Sequence, residues 1–78
     1  MDAQPKAPTP PNTPHIELNA FLKLQNLAAT GGQAKVLIRS GKILVNGVVE
    51  TRNAKKLVAG DKVECAGRLF EVTADIVR

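Results

Sequence analysis

A chain of 78 residues with 44% hydrophobic residues and one cysteine has room for one small domain, and no disulfide can brace it. A core of that size supplies only about 3–5 kcal/mol of net stability, and the chain is too short to hold a catalytic domain as well. The net charge of +4 is concentrated: residues 35–56 carry Lys35, Arg39, Lys42, Arg52, Lys55 and Lys56 against Glu50 alone, while residues 57–78 come to −1.

All five prolines (Pro5, Pro8, Pro10, Pro11 and Pro14) fall in residues 1–14, which read as a disordered, partly polyproline-like tail. Residues 15–18 read as a short strand leading into a first helix. Asn19 is its expected N-cap, Leu18, Phe21, Leu22 and Leu24 its buried side, and Lys23 projects from the other side. Residues 26–29 close this helix and lead to Thr30.

Thr30 is placed to cap a second helix, with Gln33 three residues later able to reach back to the N–H of Thr30. That helix is expected over residues 33–40, burying Ala34, Leu37 and Ile38 at i, i+3, i+4, and Gly41 stops it with a positive φ. Lys35 and Arg39, four apart, share one face and repel each other. Ile43, Leu44 and Val45 form a strand, Asn46-Gly47 suits a two-residue type I′ turn, and residues 48–51 return so that Val45 faces Val48 and Ile43 faces Glu50.

Residues 52–56 show no periodicity and read as a basic loop. A turn at Ala59-Gly60-Asp61 precedes two further strands, 62–65 and 68–73, joined at Ala66-Gly67. Cys65 shares a face with Val63 and is expected to be a small buried apolar residue. Residues 75–78 are expected to fray. The expected organisation is thus a tail over 1–14, a folded α+β domain over 15–74 and a loose end.

No catalytic constellation can be assembled. Glu17, Glu50, Asp61, Glu64 and Glu71 are scattered among lysines and read as surface balance rather than an acid/base pair. His15 and Cys65 are too far apart in sequence to suggest a zinc site. Gly31-Gly32-Gln33-Ala34-Lys35 lacks the pattern of a nucleotide-hydrolysing phosphate loop. No run of about 18 apolar residues suggests a membrane span, the start does not resemble a signal peptide, and cytoplasm is the default.

What the second helix offers is an anion site. The first turn presents free N–H groups at a positive dipole end, and Gly31 and Gly32 let a phosphate oxygen approach them. The competing reading is that the glycines only make a sharp link between helices. With just Phe21 and Phe70 as aromatics, stacking on single-stranded bases is disfavoured, and duplex or junction RNA read by shape and phosphate position fits best. The residues alone also admit a DNA-binding helix pair, or a protein-interaction module whose charge serves solubility.

Leu18-Asn19, Leu22, the helix start at Thr30, Ala34-Lys35, Leu37-Ile38, Gly41, Val45-Asn46-Gly47, Val49-Glu50-Thr51-Arg52 and Gly60-Asp61 together resemble the S-four RNA-binding domain, and most of all its small stand-alone bacterial members. The resemblance covers about residues 16–72. It implies the alpha-L motif: two short helices followed by a small, mostly antiparallel sheet. It also implies a non-catalytic, monomeric module for structured RNA, ribosomal by kinship, with a ribosome-associated protein as a further partner and neither cofactor nor membrane involved. The RNA-binding residues expected on these grounds are Lys23, Thr30, Gly31, Gly32, Lys35, Arg39, Lys42, Arg52, Lys55 and Lys56. Many members place a Ser-Arg pair where this chain has Thr30-Gly31, so the arginine's role passes to Lys35 or to the bare N–H groups.

Overall fold

The computed structural model describes residues 13–78, so the tail expected over residues 1–14 lies almost wholly outside the described residues. Strand β1 (Ile16–Glu17) runs directly into helix α1 (Leu18–Leu24). Leu18, Phe21 and Leu22 follow the i, i+3, i+4 rule and are fully buried. Leu24, expected to join them, lies on the far side and is exposed.

Asn19 is not the N-cap. That position falls to Glu17, and no side chain caps the helix. Two free N–H groups of its first turn are satisfied from a distance: Leu18 donates to the carbonyl of Lys55 (2.8 Å) and Asn19 to that of Asn53 (3.2 Å). At the other end Asn26 adopts φ +60°, and the N–H groups of Asn26 and Leu27 return to the carbonyls of Lys23 and Leu22. This is a Schellman closure with Asn in the left-handed position.

Helix α2 (Gly31–Arg39) begins two residues earlier than its apolar stripe suggests and ends before Gly41, whose φ is +80°. Ala34 and Ile38 are fully buried and Leu37 is half-buried. The two helices pack against each other.

Strands β2 (Ile43–Val45) and β3 (Val48–Val49) form the expected hairpin, in which Val45 faces Val48 and the N–H of Glu50 bonds the carbonyl of Ile43. Asn46 and Gly47 both take positive φ. Strand β4 (Lys56–Leu57) corrects the reading of 52–56 as loop throughout. Lys56 pairs with Glu17 and Leu57 with Ile16, in a two-stranded antiparallel ribbon that carries the fully buried Leu57. Strands β5 (Lys62–Cys65) and β6 (Arg68–Glu71) complete an antiparallel sheet of order β3-β2-β5-β6. Val63 and Cys65 point into the core, as the alternation requires.

Asp61 is not surface balance. It is buried, its carboxylate accepting from the N–H of Val58 (2.9 Å) and from the side-chain amide of Asn46 (3.1 Å). Asn46 in turn accepts from the N–H of Lys62 (3.0 Å), so its side chain ties the hairpin turn to the turn before β5. Nor is the chain end loose: Ala74–Ile76 make a single 3₁₀ turn, Ile76 and Val77 pack against the core, and Arg78 and His15 exchange two backbone hydrogen bonds of 3.0 Å.

Candidate nucleic-acid interface

The start of α2 is closed on one side and open on the other. Thr30 is extended (φ −135°, ψ 164°), and its hydroxyl oxygen accepts from the N–H of Gln33 at 3.1 Å. The Gln33 side chain does reach back, but past Thr30: its carbonyl oxygen accepts from the N–H of Ala29 at 2.9 Å. Of the first-turn donors this leaves the N–H groups of Gly31 and Gly32 without an intrahelical partner, on exposed residues.

The two glycines are not required by the fold. Neither adopts positive φ. A Cβ at Gly31 would meet nothing within 4 Å, and one at Gly32 only the Thr30 hydroxyl at 3.8 Å, an ordinary contact. The sharp-link reading is therefore unsupported. What their missing side chains leave is free access to two N–H groups at the positive end of the helix.

Lys35 and Arg39 are exposed on the next turns of α2, Lys42 is exposed after Gly41, and Lys23 is exposed in the last turn of α1. Beside the open turn, Leu27, Gly32, Gln33, Val36 and Leu37 line a shallow, largely apolar groove of about 470 Å³, with Val36 strongly exposed. Spacing did not reveal this groove, because Val36 lies off the stripe that packs inward.

A second basic region is gathered by the segment before and within β4. Arg52, Ala54, Lys55 and Lys56 line an open depression of about 380 Å³, and among the described residues none from α2 contributes to it. The structure thus brings three of the expected cations together here, while Lys35 and Arg39 stand on α2. The segment is held in place: its carbonyls cap α1, and Glu50 anchors its first residue. Glu50 accepts from the Arg52 guanidinium at 2.9 and 3.3 Å and from the Arg52 N–H at 3.0 Å.

Burial pushes the Glu50 carboxyl up, but the hydrogen bonds from the Arg52 side chain and backbone, with the charges of Arg52 and Lys55, outweigh it and hold the group below its ordinary value. The same bonds push Arg52 up. Glu50 is the residue that charge counting missed, because a lone acid in a basic block reads as a deficit until its bidentate geometry is seen. The side-chain oxygen of Asn53 is buried with no hydrogen-bond partner.

Among the described residues no helix is long and apolar enough to cross a membrane, and no three His, Cys, Asp or Glu side chains are grouped to hold a metal ion.

Comparison with known proteins gives consistent results. The S4 domain family matches residues 10–73. The chain is 46% identical over 61 residues to the Escherichia coli K12 protein named "Putative RNA-binding protein YbcJ", covering 78% of this chain and 87% of that one. It is 39% identical over 56 residues to the Bacillus subtilis protein named "Probable ribosome maturation protein RlbA", covering 72% and 79%. The solution structure of E. coli YbcJ, described as revealing an alpha-L motif involved in RNA binding, superposes with a TM-score of 0.61 at 44% identity, over 81% of this chain and 80% of that one. The α+β architecture is that of this neighbour.

Proposed function

The chain belongs to the S4 domain family, and from that premise we propose that it is a non-catalytic module that binds structured RNA, ribosomal in origin, as a cytoplasmic monomer without a cofactor. One observation supports this above the rest: the start of α2 exposes two unpaired N–H groups at two glycines whose conformation any residue could adopt. A site kept bare where packing does not demand it suits close approach by an anion.

In this reading Thr30, Gly31 and Gly32 cradle a phosphate, and Lys35, Arg39, Lys42 and Lys23 meet the backbone around it. Arg52, Lys55 and Lys56 receive a second stretch of backbone in their depression, with Arg52 aimed by Glu50. The names of the YbcJ and RlbA relatives support RNA as the ligand and the ribosome as its source. The folded unit over residues 15–74 suffices for binding, and the Pro-rich segment is dispensable for it.

The test is a titration with a hairpin-and-junction RNA, a homopolymer single strand and a DNA duplex across a salt series. Four to six phosphate contacts give a slope of log affinity against log salt on the order of −3 to −5, with the structured RNA bound most tightly. Salt-independent binding, or none at low salt, would overturn the proposal, and equal affinity for the DNA duplex would replace RNA by DNA.

A further inference from the structure

The face of the four-stranded sheet turned away from the helices carries a feature that RNA binding does not use. Directly opposed residues of adjacent strands share a face. The registers Val49↔Leu44, Leu44↔Glu64 and Glu64↔Leu69 therefore set these four side chains in one row across all four strands. The neighbouring row, with Val45 and Val63, is buried, so this one looks outward. Four strands at their usual spacing make it about 14 Å wide.

Val49 and Leu69 at the two ends are 53% and 65% exposed, with Leu44 and Glu64 half-buried between them. Among the described residues the Glu64 carboxylate has no hydrogen-bond or ion-pair partner. On one side the row is rimmed by Lys62 and Glu71, which oppose each other.

We propose that this face docks a protein segment presenting apolar side chains around a central lysine or arginine. The apolar row alone would admit many occupants; Glu64 selects among them. A half-buried carboxylate flanked by Leu44 and Leu69, with Val49 beyond Leu44, loses water when the face is covered, and a positive charge in the covering surface compensates. A nucleic acid is the wrong occupant, because its phosphates would meet that carboxylate. A second copy also fits poorly. Two-fold apposition of the row sets Glu64 against its own counterpart or against Leu44, and neither supplies a cation. The domain then joins two ligands on different surfaces, and the inference stands whether or not the RNA reading does.

The experiment follows amide shifts of the full chain on titration with a helical 15-residue peptide of leucine and lysine, and with a leucine–glutamate peptide of the same repeat. The expected result is a set of shifts centred on Leu44, Val49, Glu64 and Leu69 with the lysine peptide. Glu64→Lys weakens that peptide at least tenfold and gains a comparable factor for the glutamate peptide, with the dispersion of the spectrum unchanged. The proposal is overturned if the lysine peptide binds parent and Glu64→Lys equally, shifts other residues, or does not bind. It is equally overturned if these four amides move with protein concentration alone, which would make the occupant a second copy, or on addition of duplex RNA.

Discussion

The start of α2 and the segment 52–56 are both basic, yet they are built in opposite ways. The helix start is nearly self-sufficient. Thr30 and Gln33 cap it with their own side chains, and nothing outside the two helices is needed to leave the Gly31 and Gly32 donors open. The 52–56 segment owes its shape to distant partners. It supplies carbonyls to α1, pairs Lys56 with Glu17, and is tethered by Glu50. One region is a fixed arrangement of dipoles, the other a set of long charged side chains on a borrowed scaffold. Backbone donors already in place lose little freedom on binding, whereas each lysine loses side-chain rotamers. The helix start should therefore govern geometry and the segment should govern salt-dependent affinity.

The largest effect expected is that of Gly32→Asp. Asp is favoured in a first helical turn and the space is open, so the thermal midpoint should stay within about 2 °C of the parent. The new charge sits where the phosphate is placed, and RNA affinity should fall on the order of a hundredfold, about 2.7 kcal/mol. Parent-like binding by this variant, alongside complete loss with Lys55→Ala and Lys56→Ala, would reverse the division of labour.

Those lysine variants come next. Lys55 caps α1 through its backbone carbonyl, which alanine retains, so the fold should hold. Each should weaken binding about three- to tenfold at low salt and flatten the salt slope by about one. Lys35→Ala and Arg39→Ala should flatten it alike while leaving stability within about 0.5 kcal/mol, because they relieve a like-charge pair. An unchanged slope in any of these variants would remove that residue from the interface.

Glu50→Gln probes the tether. A surface pair whose arginine is exposed and whose carboxylate is partly covered contributes on the order of 1 kcal/mol. The folded-state value of Glu50 is depressed below its ordinary 4.5, so its contribution is present above that pH and is lost as pH falls through the folded value. Urea titrations at pH 7 and pH 3 should show the parent losing this increment on acidification and Glu50→Gln lacking it at both. A variant as acid-sensitive as the parent would show that the tether contributes nothing.

The smallest effect is that of Gly31→Ala. It should raise stability by roughly 0.5 kcal/mol, since alanine is the better helix former and its Cβ meets nothing, yet weaken RNA binding. A loss of stability would return the glycine to a structural role.

The helix start was legible because its signals are local. A capping threonine, a glutamine three residues on, the 34–37–38 stripe and Gly41 all act within a few residues, and so do the Asn46-Gly47 and Ala66-Gly67 turns, where both positions of each take positive φ. What escaped the sequence was non-local. Asn19 is a good cap by type, but its own N–H is claimed by the carbonyl of Asn53, 34 residues away. Lys56 has no strand pattern because its pairing is two residues long and its partner lies beyond α1 and α2. Asp61 looks like any turn aspartate until Asn46 reaches it from the hairpin. Gln33 overshoots Thr30, its side-chain oxygen accepting from the N–H of Ala29 instead. The sequence presents the cations of residues 35–56 as one block, and sequence distance could not show that Arg52, Lys55 and Lys56 line a depression to which, among the described residues, α2 contributes nothing.

The bridge between His15 and Arg78 also has a topological consequence. Because the residues on either side of the domain meet in an antiparallel pair, the fold is nearly a closed ring in its connectivity. A polypeptide entering at position 15 and leaving at position 78 crosses almost no distance, so the unit can be spliced into a surface loop of another protein while barely parting that loop's ends. The same closeness permits residue 78 to be linked to residue 15 and the chain reopened elsewhere, a rearrangement in which every contact of the α2 start would survive.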